Sequence, residues 1–363
     1  MQHNSRNYSE HIRLKTVVNF IGMFSFFSVL SLPLLFQALR TALFQTIPFD
    51  DYAEFLLTIL GRTENFAPLA PMHYRILSIL PAALFTLVPE IPFSRLPALD
   101  PAWRNATQAI VIWSWMCIVL SATVIFAQFR YRQKSSFAAA IVGAMSTIIL
   151  AQFLSTVGVD GPFILFVTLL AVFSSNPTVF VPLIIIAPFV NEKLPIIFAA
   201  QFVARRVTAH FSYAKSPHNV YSSAPTPQLL ASLAGCFVYF AIRFFLNFPG
   251  NENQLDFTSY PAASLNALQY LFTVKGFILN GIPVALIFAL FFLAIYVSVN
   301  SAGNSKHLVK TQISFQLERA DIVLPFIFVA LAIVADVQFN LGRIAMLLFP
   351  LTLVGIAARF DKP

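Results

Sequence analysis

An all-α, polytopic transmembrane bundle of about ten spans is the fold class this sequence predicts, and three observations carry it. Of its 363 residues, 58% are hydrophobic and only 10% are charged. That is roughly what ten helices of ~20 residues need to cross a bilayer. Mean hydropathy is +0.76, and apolar runs of helical length recur along almost the whole chain. A soluble domain, a disordered chain and a secreted disulfide scaffold are excluded by this composition. A β-barrel is excluded because its strands would alternate polar and apolar residues.

The elements follow in order. Residues 1–16 are polar and basic (Arg6, Arg13, Lys15) and read as a cytoplasmic tail. The first span is expected at 17–39, too long for the apolar core of a signal peptide and without a small-residue cleavage site after it. A long outer loop, 45–106, contains an apolar segment, 76–93, broken by Pro81, Pro89 and Pro92. Further runs lie at 107–128, 137–157, 162–174, 178–190, 194–204, 228–247, 276–299, 321–336 and 341–358. The three in the middle are shorter than the ~17 residues of a full span. Broken helices of that kind need protein or a water-filled cavity around their ends, which hints at a site. A second outer loop is expected at 248–275. No repeat is visible, and 1–363 reads as one integral-membrane domain. Cys117 and Cys236 sit inside apolar runs and read as core residues.

Charge sets the orientation. If 76–93 lies at the interface or re-enters, the cytoplasmic segments hold 14 Lys/Arg and the outer loops six, with three more near outer helix ends. Eleven of the fifteen acids then fall outside. If 76–93 crossed, every later basic cluster would face out. The positive-inside rule therefore favours ten spans with both termini cytoplasmic. The net charge of +8 is accounted for by these flanks, so no nucleic-acid partner is expected and membrane lipid is.

The outer face collects the unusual polar residues. Asp50 and Asp51 are adjacent carboxylates near a membrane surface; one could have a raised pKa, or the pair could hold a divalent cation (Mg or Mn). The plainer alternative is that Asp50 caps a helix over Tyr52–Leu60. Asp160, before Gly161-Pro162, is either a second acid at that surface or a helix start. Asn191-Glu192-Lys193 interrupts an apolar stretch. It marks a site, or it is a tight turn whose charges reach water. His73, Tyr74 and Arg75 precede the interfacial segment. The Arg75 fork suits a phosphate, or the side chain snorkels to the headgroups. Arg343, which could bind a diphosphate or pair with Asp336, and Arg243 are further candidates near outer helix ends. Asn105-Ala106-Thr107 is a formal glycosylation sequon, a pattern common by chance. There is no Walker A, GxSxG or HExxH motif, and the six His lack metal-ligand spacing.

The arrangement resembles the GT-C superfamily of integral-membrane glycosyltransferases, over about residues 15–206. The resemblance rests on Phe49-Asp50-Asp51-Tyr52 early in a long first outer loop and on Ala70-Pro71-Met72-His73-Tyr74-Arg75-Ile76-Leu77 after it. Val159-Asp160-Gly161-Pro162 and Asn191-Glu192-Lys193 follow in the same order as the superfamily's later polar breaks. The chain is short for the superfamily and shows no soluble outer domain. The resemblance implies a polyprenyl-phosphate sugar donor and an active face outside a bacterial cytoplasmic (inner) membrane, in cell-envelope chemistry. It implies Asp50 or Asp51 as general base or metal holder, with Asp160 assisting. His73, Arg75, Glu192, Lys193, Arg243 and Arg343 would bind substrate. Two other classes compete: a transporter or flippase of a lipid-linked or anionic substrate, and a non-catalytic assembly subunit.

Overall fold

The computed structural model describes residues 2–44, 50–62, 75–89, 91, 100–133, 136–151, 154, 160–213 and 226–245, with short stretches at 269, 273–278, 282, 285, 289, 349–351 and 353–354. Within these, the side chains of 2–15, 41–44, 50, 51, 132, 133, 136, 138, 205, 207–213, 243 and 275 lie outside the description. Among the described residues 92% are helical and none forms a strand.

Nine α-helices, followed by a three-residue helical turn at Val274–Gly276, organise the described chain. α1 runs Gln2–Phe44, so the polar segment expected as a cytoplasmic tail is helical in continuity with the first span. α2 is Asp50–Ile59. It ends at Gly61, whose φ of 67° suits glycine. There Arg62 N–H reaches Leu57 C=O at 2.9 Å and Gly61 N–H reaches Thr58 C=O at 3.0 Å, a Schellman stop. α3 is Ile76–Ile79, tightening into a 3₁₀ stretch over Leu80–Leu87, where Pro81 sits in the first turn. Gln108 fixes the chain beyond it, accepting from Ile91 N–H at 2.9 Å and donating to Pro89 C=O at 3.1 Å. α4 (Pro101–Gln133), α5 (Ser136–Ala151) and α6 (Asp160–Val172) follow. α7 (Pro177–Ile186) starts on Asn176, whose Oδ1 accepts from Thr178 N–H, with Pro177 at the first helical position. It tightens over Ala187–Phe189 before α8 (Lys193–Tyr213) and α9 (Thr226–Phe245).

Two of these helices carry apolar stretches long enough to cross a membrane: Thr16–Arg40, 25 residues, and Pro101–Tyr131, 31 residues. Ile76–Leu87 is a shorter apolar helix that packs on α4. The remaining apolar runs expected at 276–299, 321–336 and 341–358 lie largely outside the described residues.

The helices enclose two apolar cores. The first joins α1 to α5 and includes Phe27, Leu56, Ile79, Ile110, Ile125 and Leu150. The second joins α6 to α9 around Phe180, Ile184, Phe198 and Phe202, with Phe180 edge-on to both other rings. Glycine permits three close approaches. A Cβ at Gly161 would overlap the Ser114 backbone of α4, one at Gly143 would overlap the Phe27 ring of α1, and one at Gly235 would crowd Ile184 C=O of α7. α1 and α4 are also joined by Trp115, whose Nε1 donates to Ser31 Oγ at 2.8 Å. The outward faces are apolar: Val18, Ile21, Phe26 and Val29 on α1, and Leu230, Phe237, Phe240 and Phe244 on α9, are all exposed. Apolar surface of this extent suits lipid rather than water.

Candidate polar site between the two cores

The two cores meet at a polar seam. Arg75 stands at the start of α3, on the first core's side. Glu192 stands 117 positions later, in the turn between the Ala187–Phe189 stretch and α8. Arg75 Nε donates to Glu192 Oε2 at 2.9 Å, and Nη2 donates to Oε1 at 2.6 Å. This is the two-pronged pairing that a planar guanidinium makes with a carboxylate. The third donor, Nη1, reaches the Tyr52 hydroxyl at 3.1 Å, so the first turn of α2 joins the cluster. Little of either charged side chain is exposed, 15% for Arg75 and 10% for Glu192.

Electrostatics favours both charges despite that burial. For Arg75, burial disfavours the cation, but the charge of Glu192 and the hydrogen bonds of Glu192 and Tyr52 outweigh it and raise its pKa above the ordinary arginine value. For Glu192, burial works against the anion. Arg75, by charge and hydrogen bond, and Lys193, by charge, outweigh it, so the carboxyl is held below its usual range.

Hydrogen bonds extend the seam. Ser78 Oγ donates to Val190 C=O at 2.7 Å, two residues before Glu192. Trp113 Nε1 of α4 donates to Ser78 C=O at 3.0 Å. Ser114, beside Trp113, is the backbone on which Gly161 rests, and Asp160 is the next residue. Asp160 is buried in the first turn of α6. The Glu192 turn is itself held by Asn191, whose Oδ1 accepts from Lys193 N–H at 3.0 Å.

The sequence-predicted residues therefore divide. Arg75 and Glu192 are brought together. Asp50 and Asp51 open α2 immediately before Tyr52, with their carboxylates outside the described side chains. Asp160 lies at the α4–α6 contact next along the seam. Lys193 is exposed at the start of α8. Arg243 falls in α9 with its side chain outside the description, and His73 and Arg343 lie outside the described residues. The Glu192 turn does not simply reach water, since Glu192 is buried. Arg75 does not snorkel; its fork is occupied by Glu192. The sequon lies within a helix: Asn105 Nδ2 donates to Thr86 C=O at 3.1 Å, and Thr107 is fully buried within α4. Sequence reasoning missed Tyr52, Ser78 and Trp113. For Tyr52 and Trp113 the signal was available, since Tyr and Trp carry a polar handle that needs a partner when buried; a lone serine such as Ser78 carries none.

Among the described residues, no group of three or more His, Cys, Asp or Glu could hold a metal ion. No family model matches the sequence, and no curated protein or solved structure matches it.

Proposed function

We propose that this chain is a membrane glycosyltransferase that moves a sugar from a polyprenyl-phosphate donor to an acceptor at the outer face of a bacterial cytoplasmic membrane. In this reading it has about ten spans and both termini in the cytoplasm. One observation carries the proposal. The helix that opens with Asp50-Asp51, Arg75 of the first outer loop, and Glu192 from the later polar break meet in one buried cluster at helix ends.

In the proposed reaction the acceptor hydroxyl attacks the anomeric carbon. Asp50 or Asp51 takes the hydroxyl proton as the new glycosidic bond forms. The bond from that carbon to the phosphate oxygen breaks, and the lipid phosphate leaves with the electron pair. Asp160 assists from the α6 start. Because Glu192 occupies the Arg75 fork, stabilising the leaving phosphate falls first to exposed Lys193, then to Arg343 and Arg243. Glu192, committed to Arg75, adds no third carboxylate for a divalent cation. Any such cation (Mg or Mn) rests on Asp50 and Asp51 and would supply positive charge to the phosphate.

The test is a tracer assay in proteoliposomes with a panel of polyprenyl-phosphate sugars, wild type beside Asp50→Asn and Asp51→Asn. Sugar release from one donor, lost in either variant while membrane insertion is kept, is the expected result. Labelled lipid crossing the bilayer with its sugar intact would replace the transferase by a flippase. Silence toward every donor would favour the assembly-subunit reading.

A further inference from the structure

We infer that Arg75, Glu192 and Tyr52 form a positioning clamp for the first turn of α2, and that Arg75 is not a direct grip on the donor phosphate. The inference rests on the transferase reading for its kinetic consequence but on geometry for its substance. Three Arg75 hydrogen bonds are spent within the protein: two prongs on Glu192 and one on Tyr52. Its charge is matched locally by a carboxylate of opposite sign, so little attraction is left for an incoming anion. The partners are themselves fixed. Glu192 sits in a turn closed by Asn191 and tied through Val190 to Ser78, and Ser78 is tied to Trp113 of α4. α2 has only ten residues, too few to hold its own first turn, so it depends on tertiary anchors. Tyr52 is buried and follows Asp51 directly in that turn. A bond that holds the Tyr52 hydroxyl thus holds the backbone carrying both aspartates. Tyr52, Arg75 and Glu192 are positioning residues acting through Asp50 and Asp51.

Two readouts test this on the full-length protein. In the kinetic arm, Tyr52→Phe and Glu192→Gln should lower kcat by about ten- to a hundredfold, as misplacement of a reacting group does. The donor KM should stay within about twofold. Adding Tyr52→Phe to Arg75→Gln should cost nothing further, because the two act through one bond. A large rise in donor KM in Arg75→Gln, with Tyr52→Phe like wild type, would overturn the clamp in favour of a direct phosphate grip. The second arm needs no turnover. Carbodiimide-driven amidation of Asp50 and Asp51 with glycine ethyl ester is followed by mass spectrometry over time at one fixed pH. The expected result is a changed labelling rate in Tyr52→Phe, with wild-type melting behaviour. An unchanged rate would overturn the clamp. A changed rate in a protein that turns over no donor would keep the clamp and remove the transferase reading.

Discussion

α1 and α4 are alike in hydropathy and opposite in surroundings. In their most apolar windows, 11% of α1 is buried inside the protein and 72% of α4 is. α4 touches α1, α2, the Leu80–Leu87 stretch, α5 and α6, while α1 turns a face of Val18, Ile21, Phe26 and Val29 outward. Hydropathy thus says that a segment can leave water; it does not say what replaces the water. The polar residues do. α4 buries Gln108, Ser114, Ser121 and Thr123, and Ser121 and Thr123 donate to carbonyls four residues back. Such residues are tolerated where protein surrounds the helix.

The contrast can be broken from the inside outward. The largest effect is expected at the seam beside α4. Arg75→Ala strands Glu192 as a buried unpaired charge and should cost about 3–5 kcal/mol in a detergent unfolding titration. Gly161→Ala drives a methyl group into the Ser114 backbone, which cannot yield as a side chain can. About 1–3 kcal/mol is expected, read as a lower melting temperature. Gly143→Ala meets the Phe27 ring instead, which can turn, so its loss should be smaller than that of Gly161→Ala in the same melt. Gly22→Ala on α1 meets nothing within 4 Å, and should leave the melt unchanged or raise it slightly, since alanine is the better helix former. Should Gly22→Ala cost as much as Gly161→Ala, the distinction between a lipid-facing and a protein-facing helix is wrong.

The seam also has a pH signature. Glu192 is held below its usual carboxyl range, so its contribution is fully present above the unfolded-state value of about 4.3. It is lost as pH falls through the lower folded value. Arg75, already cationic throughout, adds no step in this window. Melts from neutral pH downward should therefore fall below about pH 4, and Glu192→Gln should remove that part of the decline.

Much of the helical layout was legible. The runs at 162–174, 178–190 and 228–247 match helical stretches within a few residues at each end, 107–128 and 194–204 lie inside the longer α4 and α8, and 137–157 opens with α5 but ends outside the described residues. Apolar periodicity is a local property, and so are caps such as Asn176-Pro177. At residues 2–16 the helix extends further than hydropathy shows, because hydropathy marks where a helix meets lipid, not where its backbone bonds stop; α1 continues through polar sequence to Gln2. The site was legible only in its parts. Arg75 and Glu192 each stood out as a charge in apolar surroundings, yet nothing local to either announces the other. Beyond its hydroxyl, Tyr52 carries no local mark of its role, since it follows two acids whose charges dominate the segment.

The spacing of the clasp has a consequence for how the protein is made. Glu192 leaves the ribosome 117 residues after Arg75. At ~5–20 residues per second, that is a wait of roughly 6–23 s. For that interval a strongly basic side chain destined for the interior has no carboxylate to meet. The first core must be assembled with its polar edge open to water or headgroups, and translation of the second half closes it. A pause in synthesis within residues 76–192 would lengthen that exposed stage, and an arrested chain would display Arg75 to reagents that the finished protein shuts out.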